Sequence, residues 1–440
     1  MLEAAKRNHD AIRKECQGVQ CRWWDIYSND TISKSVTFKN NVFHSARESA
    51  VRGYGIRLNI HGKTGFSYCN DFNDIKTVIA HAKDTAQYGD NEDYALPGKN
   101  AIPKVTLYDE QWLESWTVEN QVQQVQAIID TIRKAYSDCM VDSSAGCVDG
   151  YVYLTNSSGF EAGYRYLQHG VSVSGLRIVS DGSRMQVYES TSWGSTFDYH
   201  EIVNRLIMKL QFSETNAAIP SGNYYAILTP KAFGQIMGVV LQGLSGKSIQ
   251  RGISRYIGKF GQKVFGKQLS VYDNPLEHFA PGSYPFDGEG VMAFNKTIIE
   301  CGYVQRHIAH LQSSHILQCN PTGNASRSYA TLPQESFSNI VVPGGDVSFK
   351  DMIRQMDTGI IIDQFIGFGQ SNTLMGQFSA NLDMAWFVNN GEVQGRLKNC
   401  MVADDVTRML DDTIVLSKER EWIGDSYLPY VMCRIDYTTI

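Results

Sequence analysis

Residues 147–174 read CVDGYVYLTNSSGFEAGYRYLQHGVSVS. Two runs rich in Val and Tyr, Cys147 to Asn156 and Phe160 to Ser174, alternate apolar with polar positions. Asn156-Ser157-Ser158-Gly159 between them has hairpin-turn chemistry. Period-two alternation puts one set of side chains on one face of a sheet, so this stretch predicts antiparallel strands. The segment before it has the helical period. From Thr117 to Ser137, Val118, Val122, Val125, Ile128, Ile129 and Ile132 fall on one face, with Asn120, Gln123 and Gln124 opposite. A long helix beside antiparallel strands points to an α+β unit.

Further toward the N-terminus, Leu2 to Gln17 reads as a helix. Arg22 to Tyr27 and Ser33 to Asn40 read as two strands with Asp30 near the turn between them. Glu48 to Asn59 continues the meander, His61 to Gly65 is a tight turn, and Phe66 to Cys69 returns. Asp71 to Tyr88 is a helix with Ile75, Val78, Ile79 and Ala82 at i, i+3, i+4, i+7. Past the opening stretch, Met185 to Trp193 reads as a strand and Asp198 to Leu210 as a helix.

Ile219-Pro220-Ser221-Gly222-Asn223 breaks both periods and marks a boundary. Two domains are expected: residues 1–216, a mixed sheet with long helices, and residues 217–440, a strand-rich sheet or barrel-like unit. The second half opens on a strand, Tyr224 to Leu228, then a helix from Pro230, whose fixed φ suits a first helical turn. Short strands with Gly, Pro, Asn and Asp turns follow, among them Gly359 to Phe368, Gly376 to Val388 and Glu392 to Val402, and Ala403 to Ile414 reads as a late helix.

Composition excludes several classes. Of 440 residues, 42% are hydrophobic and 20% charged, enough apolar surface to offset the entropy of ordering a chain. No apolar run approaches the roughly 20 residues of a membrane helix. Forty basic and forty-six acidic residues are interspersed, giving a net charge of −6, which argues against direct nucleic-acid binding. The first ten residues lack the basic start and apolar core of a signal peptide. The nine cysteines are scattered with no C-x-x-C pair, as expected for reduced thiols in a cytoplasmic protein.

Several segments, in order along the chain, resemble one family. Ser49 to Phe66 is similar to its glycine-punctuated hairpin. Asn156-Ser157-Ser158-Gly159-Phe160-Glu161 resembles its N-S-x-G-x-E turn, and Pro285-Phe286-Asp287-Gly288-Glu289-Gly290 its P-F-D-x-E-G segment. Pro321-Thr322-Gly323-Asn324-Ala325 resembles S-T-G-N-A, Asn339 to Asp346 resembles N-x-x-x-x-P-G-D, and Asn389-Asn390-Gly391-Glu392 a late N-N-G-E turn. The family is TldD/PmbA, known as modulators of DNA gyrase and as paired zinc proteases. The resemblance implies two subunit types. One carries His-Glu-x-x-x-His on the first helix of the C-terminal half, where two histidines bind zinc and the Glu acts as general base on metal-bound water. The other lacks the motif and completes the cleft.

In this chain that helix, Lys231 to Gly246, contains no His, Glu, Asp or Cys. Zinc needs thiolate, imidazole or carboxylate ligands, and none is offered. Arg255 to Gly266 resembles the corresponding stretch of PmbA (TldE) subunits. The resemblance therefore implies a PmbA/TldE-like subunit without catalytic residues of its own, paired with a TldD-like zinc subunit around unfolded peptides. It also implies a homodimer when the chain is alone.

Other candidates carry chemistry of their own. Cys301, His307, His310, His315 and Cys319 are ligand-type residues within one stretch, and His307 and His310 at i, i+3 can share a helix face. A self-sufficient metallopeptidase would use them; a strand-turn region with hydrogen-bonded histidines is the plainer account. Asp287 and Glu289 read either as an acid–base pair or, with Pro285, Gly288 and Gly290 around them, as a turn. Thr322, Asn324 and Arg327 could hold a peptide carboxylate or backbone, or pin their own loop. A third class is a binding protein acting on DNA gyrase, as the family's older name suggests.

Overall fold

The computed structural model describes residues 2–179, 182–193, 198–368 and 375–439. Its first sheet has six antiparallel strands: β1 (Trp23–Lys39), β2 (Val42–Ile60), β3 (Lys63–Cys69), β4 (Met140–Asn156), β5 (Glu161–Ile178) and β6 (Arg184–Trp193). They lie in the order β3-β2-β1-β4-β5-β6. No turn interrupts the chain at Asp30. β1 runs on to Lys39 and reverses at Asn40-Asn41, whose φ values of 49° and 69° suit a two-residue hairpin. The polar run around Asp30 is tolerated because β1 has a neighbour on each side, and Asp30 pairs with Arg52 at 3.1 Å.

Five helices accompany this sheet: α1 (Leu2–Gln17), α2 (Ile75–Ala86), α3 (Glu110–Ser115), α4 (Val118–Ala135) and α5 (Tyr199–Phe212). The Thr117 hydroxyl accepts from the Asn120 amide and caps α4, and Asp198 caps α5 in the same way. The predicted stripe does its work: Val125, Ile128, Ile129 and Ile132 bury against Val36, Val141, Ala145 and Val173. At the other end, α1 and α2 bury Ile12, Val78, Ile79 and Ala82 against Ile26, Tyr54, Ile56 and Leu58. The strand register places all of these strand residues on one face. Helices therefore cover that face, and the other is left for the second half of the chain.

The C-terminal half is built from β7 (Asn216–Ala217), β8 (Gly222–Leu228), α6 (Pro230–Gly243), α7 (Gly246–Gln250), β9 (Val271–Asp273), β10 (Lys296–Glu300), β11 (Tyr303–Val304) and α8 (Leu311–Leu317). A short hairpin, β12 (Ala325–Ser326) with β13 (Gln334–Glu335), stands apart. Then come β14 (Ile340–Val341), β15 (Thr358–Ile366), β16 (Gln377–Asn389), β17 (Glu392–Leu397), β18 (Cys400–Asp405), β19 (Val415–Ile423) and β20 (Ser426–Thr439). β8, β15, β16, β18 and β20 pair in a closed ring, because β18 bonds to both β16 and β20. Ring closure is what makes this half barrel-like, and it removes free edges. Its core includes Leu228, Ile360, Ile362, Leu382, Val402 and Ile435. Ala403 to Asp405 are strand rather than helix; the helical turn after them spans only Val406–Met409, because Ala403 and its neighbours complete the ring.

All nine cysteines are free. Among the described residues, no helix is long and apolar enough to cross a membrane.

Candidate functional site

The face of the first sheet that the helices leave uncovered carries charge. Register puts Asp25 of β1 opposite Arg57 of β2, and both side chains point to the second half of the chain. They are almost wholly buried, at 1% exposure each. Arg57 Nη2 donates to Asp25 at 2.6 Å, and its Nη1 donates to Glu289 at 2.9 Å. Asp25 also accepts from Nη2 of Arg327 at 2.9 Å. Two arginines and two carboxylates thus join β1, β2 and two loops of the C-terminal half. Burial disfavours the Asp25 charge, but Arg327 and Arg57 outweigh it and hold the carboxyl below its ordinary range. The Arg327 guanidinium also lies 4.6 Å from the Tyr27 ring centroid, a cation–π contact.

Asp287 is the pin of a turn. Its Oδ1 accepts from the amides of Glu289 and Val291, and its Oδ2 from Ala325. Burial and the neighbouring Glu289 push its carboxyl up to about 7 against the pull of those amides. Among the described residues, no side-chain cation forms an ion pair with it. Glu289, two residues on, spans between Arg57 and the Leu311 amide. The Pro285 to Gly290 segment is therefore a turn whose two acids serve different partners, not a pair sharing a substrate.

From β12 to β13 the chain makes a loop that clasps the first sheet. Tyr329 donates its amide to Asn29 and lies over Gly53 and Gly55, where its atoms leave no room for a Cβ. Glu335 accepts from the Lys247 amide at 2.9 Å and from His310 Nδ1 at 3.1 Å. Burial works against a charged His310, but Glu335 and Glu289 hold its pKa above the ordinary value. Two cavities flank the clasp. One, about 290 Å³, is walled by tyrosines of β1 and β5 together with Asp287, Arg327 and Phe337. The other, about 210 Å³ and more enclosed, lies between Arg57, Tyr94, Glu289, His310 and Glu335.

Of the residues singled out from sequence, Arg327 reaches the 290 Å³ cavity. Thr322 and Asn324 do not line it. Thr322 Oγ1 bonds to the backbone of Ala309, and Asn324 Nδ2 donates to Asp273 and the Ser336 carbonyl. The Cys/His stretch does not converge. His307 and His310 share no helix, because α8 starts after them and His310 is its N-cap residue. His307 Nε2 lies 3.7 Å from Cys319 Sγ, His310 turns inward to Glu335, and His315 and Cys301 are exposed. Among the described residues, no three His, Cys, Asp or Glu side chains are grouped to hold a metal.

α6 starts at a Thr229 cap with Pro230 in its first turn. Phe233, Ile236, Met237 and Val240 bury into the barrel core. The other face presents Lys231, Gly234, Gln235, Gly238 and Gln242, with open space beside Gly238. Lys231 is held by the Tyr188 carbonyl and by Asp363. These residues do not fit zinc, since amide, methylene and ammonium groups are not its ligands.

A helix-covered sheet is locked by charge to a closed strand ring, with this helix at the barrel's flank. The fold matches TldE from Thermococcus kodakarensis at a TM-score of 0.88, with 18% identity, over 98% of this chain and 99% of that one. Residues 221–437 match the family model for the PmbA/TldA metallopeptidase C-terminal domain, and residues 24–86 the model for domain 1. The chain belongs to the PmbA/TldD family. It is 25% identical over 370 residues to the protein MJ0231 of Methanocaldococcus jannaschii, covering 83% of this chain and 84% of that protein. It is 23% identical over 421 residues to the metalloprotease TldD homolog of Haemophilus influenzae, covering 91% and 86%.

Asp25 and Arg57 escaped the sequence reading. A signal for them exists: each charge sits inside an otherwise apolar stretch, Trp23-Trp24-Asp25-Ile26 and Ile56-Arg57-Leu58.

Proposed function

We propose that this chain is the non-catalytic, PmbA/TldE-like subunit of a two-protein zinc metallopeptidase in the cytoplasm. A TldD-like partner supplies the metal, and this chain forms part of the cleft that receives unfolded peptide. The observation that carries the reading is the outward face of α6, which in a metallopeptidase family offers no ligand for zinc. Strand-rich walls suit an extended substrate, since main-chain hydrogen bonds hold a peptide largely without regard to its side chains. Without its partner, the chain pairs with itself.

The test is a pull-down from the native cell, with elemental analysis of the isolated chain and of whatever co-purifies. The expected result is zinc in the complex and peptide hydrolysis by the complex alone. One tightly held zinc per isolated chain, or hydrolysis by it, refutes the reading. Survival of both properties in a His307→Ala/His310→Ala variant would further discard the Cys/His stretch as their source.

A further inference from the structure

We propose that the 290 Å³ cavity beside Arg327 binds the amino end of a peptide, holding its ammonium group and its first carbonyl oxygen. The inference deepens the peptide-handling reading and rests on it. Three observations support it.

The walls are aromatic. Tyr27, Tyr164, Tyr166, Tyr284, Phe286 and Phe337 line the cavity, with Tyr164 and Phe286 edge-to-face at 5.2 Å. Ring faces attract ammonium groups, and one of these rings already carries the Arg327 guanidinium. The charge is unbalanced as well. Among the described residues, the buried carboxylates Asp25 and Glu289 pair with Arg57 and Arg327, Asp287 has no ion pair, and Asp425 adds a carboxylate at the mouth. Asp287 is the acid left with amides for partners. A bound cation would offset that excess of carboxylates, whereas an anion would add to it.

The third observation fixes the neighbouring group. The Arg327 side chain is 1% exposed, both its terminal nitrogens face Asp25, and its Nε–H has no hydrogen-bond partner. A buried N–H without an acceptor is costly, so the cavity invites an oxygen there. A simple amine would leave Arg327 unsatisfied, and a carboxylate would meet the surplus negative charge. An α-ammonium beside a carbonyl, the end of a peptide chain, meets both demands.

The experiment is calorimetric titration of the full chain with three probes. Alanyl-alaninamide has both groups, N-acetyl-alaninamide lacks the ammonium, and propylamine lacks the carbonyl. Alanyl-alaninamide is expected to bind at least tenfold more tightly than either. Tyr164→Leu should weaken it roughly 2- to 30-fold, the range of a lost cation–π contact, and Tyr164→Phe should keep most of the affinity. Tyr166→Leu serves if Tyr164→Leu does not fold. Equal binding of the acetylated probe, equal binding of propylamine, or no binding at all overturns the inference. Its failure is distinct from failure of the subunit reading, which shows as zinc or hydrolysis in the isolated chain.

Discussion

Replacing Arg57 by Met tests the charge lock between the two halves. Arg57 is 1% exposed and donates to two carboxylates from different parts of the chain. After the change, Asp25 keeps Arg327 at 2.9 Å, so most of the uncompensated charge falls on Glu289. Glu289 retains the Leu311 amide and the weaker pull of His310, whose pKa it helps to raise. Breaking a buried ion pair by removing one partner costs about 3–5 kcal/mol, because a desolvated charge is left behind. The double variant Arg57→Met/Glu289→Gln removes that charge and keeps an acceptor for Leu311. It should be less destabilised than the two single losses added, by about 1–3 kcal/mol. Urea unfolding followed by tryptophan fluorescence reads it, since Trp23 stacks on Tyr94 at 5.6 Å and lies 5.5 Å from the Arg57 guanidinium carbon. A loss under about 1 kcal/mol in the single variant, or strict additivity in the double, refutes the reasoning.

Three further outcomes follow from the geometry. Glu335→Gln should lower the His310 titration midpoint, read by NMR. Glu335 is held below its ordinary 4.5 and His310 above its ordinary 6.5, so the pair contributes fully between those values. The contribution fades as pH falls through the folded Glu335 pKa or rises through the folded His310 pKa, and an unchanged His310 midpoint sinks the assignment. Lys209→Met should cost about 3–5 kcal/mol, because Lys209 is buried between Glu189 and Asp363 at 2% exposure; wild-type-like stability in urea contradicts it. Gly55→Ala should lift Tyr329 and the clasp off the first sheet, with about 1–3 kcal/mol lost to overpacking. Tryptic cleavage after Arg327 should then accelerate, and an unaltered digestion pattern argues against the clasp.

Elements with a clean period were legible. α4 was readable because six aliphatic residues mark one face, and β4 and β5 because their alternation is bounded by Asn156 to Gly159. Asp30 misled because a polar run looks like a turn when its flanking strands cannot be seen. Ala403 to Asp405 misled because ring closure overrides local helix preference. At the candidate site, the difference lay in distance along the chain. The Asp287 turn is local, so its glycines and proline announced it. The arrival of Arg327 at Asp25 depends on which sheet face the helices leave bare, and no local pattern carries that.

The salt-bridged clasp also sets a schedule for synthesis. Asp25 and Arg327 are 302 positions apart. At 5–20 residues per second, a ribosome needs roughly 15–60 s between making one and making the other. During that interval the nascent first sheet emerges with Asp25 and Arg57 still wet, and hydration carries the charges that guanidinium and carboxylate partners later take over. Until Arg327 is made, the face of the first sheet that carries Asp25, Tyr27 and Arg57 lacks the clasp that covers it in the finished fold.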